Sequence, residues 1–524
     1  MSLEQEKDER DFLSRQLIAY IGNKRRLLHF VKDTLDKTLG SERGGFLDLF
    51  AGSGSVSRLA KVLGFSVVSN DWEFYSFIIN QAYIGIDQRE LQTIFENQGG
   101  LENALKELNS LTTPREPYLS LYYAPRSKKP DPDVERMFYT PENARKIDAI
   151  RERIDEWFPV WDKGKYLLTA LVVYYAATHT NTSGVFKAYH RGFGGHGKDA
   201  LQRILKPIEL EEPVLIDSHL THRVYQKDAN DLVRELDWDN IQITYLDPPY
   251  NQHQYGSNYH LLNTIALWDK PLITNVFSES GKAGIRKDWP KTRSDYCMKE
   301  PAKEKFRDLI GHIKSRFVIL SYNTEGVIPL PDILQILKEH GKVKFYTDKY
   351  VKYRGGRQSL NRRISNLEFL IVLDRQGRQQ GSDDAEIKRI LEFKQLEILK
   401  NSVINIKTLE GLGWVQNGEN WLHAGHRITL DEVIFVDYEG DEDLIYRAVA
   451  EALICSKDEE IEVLLSLNPK KFKNRIFTSF KKIAHTKYEQ EFQKTRKILV
   501  KHFGKDKIFQ QILLIAKRRG LIID

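Results

Sequence analysis

Two rhythms of apolar positions run through the first 84 residues. Residues 13–39 space their apolar side chains as one face of a helix would. The segment GGFLDLFAGSGSVSRLAKVLG (44–64) reads as a short apolar strand, a glycine turn and a helix. FSVVSND (65–71) reads as a second strand closing on a polar pair, and EFYSFIINQAYI (73–84) as another helix. Strands alternating with helices predict a parallel α/β sheet. The pattern loosens over 85–220, where proline-bearing stretches and the glycine-rich HRGFGGHGK surround helical patches. It returns with HRVYQKDANDLV (222–233), IQITYL (241–246), RFVILSYNTEG (316–326) and NLEFLIVLD (366–374). The expected organisation is one α/β domain from 1–84 and 221–374, an insertion at 85–220, a polar linker at 375–390 and a mainly helical C-terminal domain at 391–524.

At 524 residues, 41% hydrophobic and 29% charged, the chain has the composition of a globular protein of several domains. A net charge of +6 permits a polyanionic partner without establishing one. The charge is unevenly spread: residues 431–462 hold 12 acidic and 2 basic side chains, and 470–519 hold 16 basic and 3 acidic ones. The two cysteines, Cys297 and Cys455, have no metal-ligand spacing, and neither do His190, His196 and His253, so no metal is expected. The polar N-terminus lacks a signal-peptide core, and the apolar helix YLLTALVVYYAA (166–177) is too short to span a bilayer. A cytoplasmic protein with no membrane role is the expectation.

Two places carry candidate chemistry. Gly52 and Gly54 follow an apolar run and precede a helix, where glycine permits a tight turn and a close ligand. The third glycine of a dinucleotide fingerprint is missing, and no Walker lysine follows. Asp71 ends the next strand, where an α/β nucleotide site accepts ribose hydroxyls; it could equally cap a helix. The second place is Asp247-Pro248-Pro249-Tyr250, at the end of a strand-like run. A carboxylate, a rigidly held Pro248 carbonyl and a flat phenol would suit an exocyclic amino group on a planar base. A plain proline turn is the alternative.

Taken together, YIGNKRRLL (20–28), DLFAGSGSVS (48–57), SND (69–71), NTSGVF (181–186) and DPPY (247–250) resemble the ordered motifs of Dam-like bacterial DNA adenine-N6 methyltransferases. DPPYNQHQYGSNYHLLNTI is similar to the FokI-type modification methylases of type II and IIS restriction systems. The resemblance spans about residues 17–374 and implies a Rossmann-like methyltransferase sheet using S-adenosylmethionine. It implies that Tyr20 and Lys24 close over that cofactor. Phe50, Ala51, Gly52 and Gly54 would cradle it, Asp71 would hold its ribose, and Asp228 and Ala229 would lie near its adenine. Asp247, Pro248 and Tyr250 would meet a flipped adenine of duplex DNA.

Several DNA contacts are expected beyond that core. Tyr255 and Tyr259 lie on the stretch after Asp-Pro-Pro-Tyr, where they would clamp DNA or merely pack. Arg354 and Arg357, in KYVKYRGGRQSLNRR (349–363), suit a phosphate-tracking loop. RSKKP (126–130) and AYHRGFGGHGK (188–198) are the candidate DNA-facing pieces of a target-recognition insertion. Lys470, Lys471 and Arg475 open a basic face that is either a second DNA grip or the packing partner of the acidic stretch before it. The leading expectation is a monomeric, nucleoid-associated modification enzyme, with a cognate restriction endonuclease as possible partner. A methyltransferase acting on an amino group of RNA or protein is the alternative within enzymes. A catalytically silent DNA-binding subunit is the alternative outside them.

Overall fold

The computed structural model describes residues 3–126, 130–131, 133–182, 184–188, 192–194, 200–273, 282–323, 326–347, 368–381, 383–385, 387–388, 396, 399–484 and 489–517. The described residues divide into two compact units, one made of those up to residue 383 and the other of those from residue 384 onward.

The first unit is built on a seven-stranded sheet. Its strands are β1 (Gly45–Asp48), β2 (Ser66–Asn70), β3 (Arg223–Tyr225), β4 (Ile241–Leu246), β5 (Phe317–Asn323), β6 (Lys342–Thr347) and β7 (Glu368–Asp374). The order across the sheet is β3-β2-β1-β4-β5-β7-β6. The first five pair in parallel, and β7 enters antiparallel between β5 and β6. All residues of β1 and β5 are buried, as expected for strands covered on both faces. One face packs Phe46, Val67, Ile243, Ile319 and Val372 against Leu28, Val31 and Leu35 of helix Leu28–Leu39 and Leu59 of helix Ser55–Val62.

Helix Phe74–Tyr83 joins helices Pro141–Trp157, Lys163–Thr178 and His260–Leu267 in a second cluster. The apolar run at 166–177 is thus a buried helix. Residues expected as an insertion contribute much of this cluster, sharing one core with elements of the sheet domain. The single helix suggested over 13–39 is interrupted. A helix ends at Ser14, and the chain turns through Gly22 at φ +81° before a short 3₁₀ turn, Lys24–Leu27, leads into Leu28–Leu39. Periodicity alone does not register a turn whose backbone needs the left-handed region.

The second unit adds to its helices a four-stranded antiparallel sheet, β8 (Val415–Asn417), β9 (Asn420–His423), β10 (His426–Asp431) and β11 (Ile434–Glu439). Helices Lys457–Leu467, Lys473–Ile483, Glu489–Phe503 and Lys507–Lys517 surround a core of Ile461, Leu464, Phe477, Phe480, Phe492 and Phe509. Within this unit the acidic stretch neutralises part of the basic one. Lys471 meets Asp431 at 3.0 Å and Glu432 at 2.7 Å, Arg475 meets the buried Glu460 at 2.9 Å, and Lys494 meets Glu462 at 2.9 Å. Lys471 and Arg475, expected as DNA contacts, are committed to these carboxylates, while Lys470 remains exposed.

Among the described residues no helix is long and apolar enough to cross a membrane, and no group of three or more His, Cys, Asp or Glu side chains is placed to hold a metal ion.

Candidate active site

In an open α/β sheet, ligands bind beyond the carboxyl ends of the strands, where strand order reverses direction from the first strand. Here that point lies between β1 and β4. A pocket partly open to solvent occupies it. Its lining includes Tyr20, Lys24, Phe50, Ala51, Gly52, Asp71, Asp228, Ala229, Asp247, Pro248 and Tyr250. Segments far apart in the sequence therefore share one cavity.

The glycine turn forms one wall. Gly52 and Gly54 adopt φ +52° and +76°. A Cβ on Gly52 would come within 2.7 Å of the Tyr20 ring, and one on Gly54 within 2.8 Å of Asn80 Oδ1. Gly54 lies at the N-cap of helix Ser55–Val62 and supports the wall from behind. Asp71 binds the turn: its carboxylate accepts the Gly52 N–H at 2.8 Å and the Glu73 N–H at 2.9 Å. Asp228 caps helix Ala229–Glu235 by accepting from Asn230 N at 2.9 Å.

The opposite wall carries Asp247 and Tyr250. Lys24, with only 4% of its side chain exposed, lies 3.2 Å from Asp247 Oδ1 and 3.4 Å from Glu368 Oε2. Its ammonium is also 5.0 Å from the Tyr250 ring centre, a cation–π distance. The Tyr250 ring meets Tyr322 edge to face at 5.9 Å. Lys24 thus engages both Asp247 and Tyr250 of the Asp-Pro-Pro-Tyr segment. Glu368 arrives because β7 runs backwards: its first residue pairs with Asn323, the last of β5, at the carboxyl edge of the sheet.

Burial governs the acids here. It pushes Asp247 up to about 6, with Lys24 pulling it down and Glu368 pushing it further up. Burial lifts Asp48 to about 7, eased by a hydrogen bond from Ser57 at 2.7 Å, and Asp48 Oδ1 has no hydrogen-bond partner among the described residues. It also lifts Glu73 to about 7, with Asn263 donating to that carboxylate at 2.6 Å. For Lys24, burial depresses the ammonium, but Asp247, Tyr250 and Glu368 more than offset this and hold it well above the usual lysine value.

Tyr255 and Tyr259, read from sequence as DNA contacts, are placed otherwise. Tyr259 is fully buried and stacks on Tyr20 at 5.0 Å. Its hydroxyl accepts the Ile21 N–H at 2.8 Å, while the Tyr255 hydroxyl donates to the Ile21 carbonyl at 3.1 Å. The pair clamps the Tyr20–Ile21 turn against the cavity, so Tyr259 has no surface left for DNA. Arg354 and Arg357 lie outside the described residues, as do most of RSKKP and AYHRGFGGHGK.

Sequence reasoning missed Asp48, Glu73, Tyr296 and Glu368. Asp48 is discoverable, since it stands four residues before Gly52 in the same motif. Tyr296 lines the cavity edge-on to Phe50 at 5.3 Å, from a segment with no local signal.

A family model described as D12 class N6 adenine-specific DNA methyltransferase matches residues 20–315. Type II methyltransferase M.NlaIII of Neisseria lactamica is 33% identical over 68% of this chain and 99% of its own length. Modification methylase StsI of Streptococcus sanguinis is 33% identical over 68% of this chain and 52% of its own length. Type II methyltransferase M.FokI of Planomicrobium okeanokoites is 30% identical over 73% and 56%. This chain thus spans nearly all of the first relative and about half of the other two. Motif order, sheet order and these relatives agree, and the chain belongs to the D12 class of N6 adenine-specific DNA methyltransferases.

Proposed function

We propose that the enzyme moves a methyl group from S-adenosylmethionine to N6 of an adenine flipped out of duplex DNA, as the modification partner of a restriction system. One observation carries this reading: Asp247-Pro248-Pro249-Tyr250 and the glycine turn face the same cavity.

The residues present fit a cationic nucleoside. Asp48, Asp71, Glu73 and Asp247 line the cavity, and Asp48 Oδ1 is a buried acceptor without a partner among the described residues. Phe50, Trp72 and Tyr296 offer flat apolar surface for a purine. When bound, S-adenosylmethionine supplies a methyl group already activated on a sulfonium. Gly52, Phe50 and Ala51 would cradle it, Asp71 would meet the ribose, and Asp228 and Ala229 would border its adenine.

The protein's own task is to make the target nitrogen nucleophilic. The adenine amino lone pair is delocalised into the ring. Asp247 and the Pro248 carbonyl would accept its two N–H groups, favour a pyramidal nitrogen and stabilise the positive charge that develops there. Tyr250 would stack on the flipped base. As the new N–C bond forms, one N–H proton must leave, and the Asp247 carboxylate stands ready to accept it. Target readout is assigned to the region 85–220. Backbone contacts are assigned to the region 349–363 and to the exposed lysines of the C-terminal domain, residues 391–524.

Transfer of tritiated methyl groups to duplex DNA tests the reading. Wild type is expected to label adenine, and Asp247→Ala to lose activity by on the order of 10²–10³-fold. Undiminished transfer by Asp247→Ala would refute it.

A further inference from the structure

Asp247 is one of three charged groups packed together, and the third has no role in the reading above. Glu368 is 5% exposed, begins β7 and shares the Lys24 ammonium with Asp247. A buried cluster of two carboxylates on one ammonium carries an uncompensated negative charge, which folding would ordinarily disfavour. The geometry is also asymmetric. Lys24 donates a hydrogen bond to Glu368 Oε2 at 3.4 Å and stands 3.2 Å from Asp247 Oδ1, to which it makes no well-aligned hydrogen bond.

We propose that Glu368 is a positioning residue for methyl transfer: by sharing the Lys24 ammonium, it keeps that cation from closing fully on Asp247 and leaves the Asp247 carboxylate open to accept the amino group of the target adenine. The inference rests on Asp247 being that acceptor. With a neutral residue at 368, the Lys24 ammonium would turn wholly to Asp247. The two would close into a neutral pair, leaving less of the carboxylate's negative charge to the incoming amino group. Lys24 therefore serves as a shared counter-charge. It holds two carboxylates in the fold while fully satisfying neither.

The other groups facing Asp247 do not replace this arrangement. Asp48 at the end of β1 adds like charge, and burial holds the phenols of Tyr245 on β4 and of Tyr255 well above their usual range. Lys24 is the single cation acting on Asp247 among the described residues. Removing the Glu368 charge lowers the proton affinity of Asp247 twice over. A like charge disappears, and Lys24 moves closer.

The test is Glu368→Gln, assayed for methyl transfer to duplex DNA across pH, with S-adenosylmethionine binding measured by calorimetry. The expected result is a fall in kcat of about tenfold, smaller than the 10²–10³-fold loss for a direct contact. The acid limb of the rate profile should move to lower pH by about one unit. Cofactor affinity and the KM for DNA should stay within about twofold. Adding Glu368→Gln to Lys24→Met should cost nothing beyond Lys24→Met alone, since Glu368 acts through Lys24. An unmoved acid limb, or additive losses in the double variant, would overturn the proposal. Should Glu368→Gln fail to fold, Glu368→Asp withdraws the carboxylate by one methylene, and the limb should shift in the same direction by less. No shift there also overturns it. Because Asp247→Ala is measured in parallel, failure of the Glu368 inference is distinguishable from failure of Asp247 as acceptor.

Discussion

In the catalytic unit, Lys24 sits between Asp247 and Glu368 with 4% of its side chain exposed; in the C-terminal unit, Lys471 sits between Asp431 and Glu432 with 43% exposed. The residue types match: one ammonium shared by two carboxylates. The surroundings decide what each arrangement does. Water screens the Lys471 group, so its charges interact weakly and can be removed singly. Around Lys24 little water remains, the interactions are strong, and removing one partner strands the others in a poorly polarisable interior. Ion pairing at the surface balances a segregated charge pattern. At the sheet edge the same motif offsets part of the burial cost of Asp247, the residue proposed to meet the target amino group.

The sharpest way to break this comparison is to delete both lysines. Lys24→Met leaves Asp247 and Glu368 buried together without a cation, and should destabilise the protein by about 3–5 kcal/mol in urea unfolding. Methyl transfer should fall with it. Lys471→Ala, measured alongside, should leave the unfolding midpoint where it was. Equal effects of the two substitutions would show that burial does not separate the two sites.

A second prediction turns on the acids that burial raises. Folded Asp48 keeps its proton up to about pH 7, whereas an unfolded aspartate loses it near 4. Between those values the folded state binds the extra proton, so this group's contribution to stability is complete below about pH 4 and is lost as pH rises to about 7. Asp48→Asn resembles the protonated form at every pH. It should match wild type below about pH 4, become progressively more stable than wild type as pH rises from about 4 to about 7, and keep that difference above pH 7, as read from Tm. It should also bind S-adenosylmethionine more weakly at pH 7.5, because a carboxylate facing the cation is gone. A Tm difference that stays flat with pH would place Asp48 outside this account.

What could be read in the sequence follows from distance along the chain. Gly52, Gly54, Asp71, Asp247 and Tyr250 announce themselves because a turn, a strand end and a rigid proline pair are local devices with local spacing. Glu368 gives no such notice. It lies 121 residues beyond Asp247, and reaches the site only because β7 is inserted in reverse between β5 and β6. Tyr255 and Tyr259 follow the Asp-Pro-Pro-Tyr turn and so suggest a DNA-facing loop, yet their four-residue spacing is that of one helix face, which is how they come to hold Ile21. The sheet of the second unit also has a legible sign. Gly418-Glu419, between Asn417 and its partner Asn420, is a two-residue hairpin turn with glycine at its first position. The charge segregation that follows it, which favours a helical reading, masks it.

The smallest effects belong to the C-terminal unit, and they separate two uses of its basic residues. Lys471 and Lys494 already answer acidic neighbours within the unit, so substituting them should leave the salt dependence of DNA binding almost unchanged. Lys470, Lys481 and Lys497 are exposed on the same run of helices. If they grip the phosphate backbone, the combined variant Lys470→Ala, Lys481→Ala, Lys497→Ala should reduce the slope of log K against log salt by about 0.9 for each phosphate no longer neutralised. Binding should weaken uniformly across DNA sequences, and kcat on saturating DNA should not change. The two variant sets carry similar charge changes, so a general loss of positive potential would move both slopes alike. Only a specific grip moves one and spares the other. A slope unchanged in both sets would mean that the excess positive charge of this unit is solvated and contributes nothing to holding DNA.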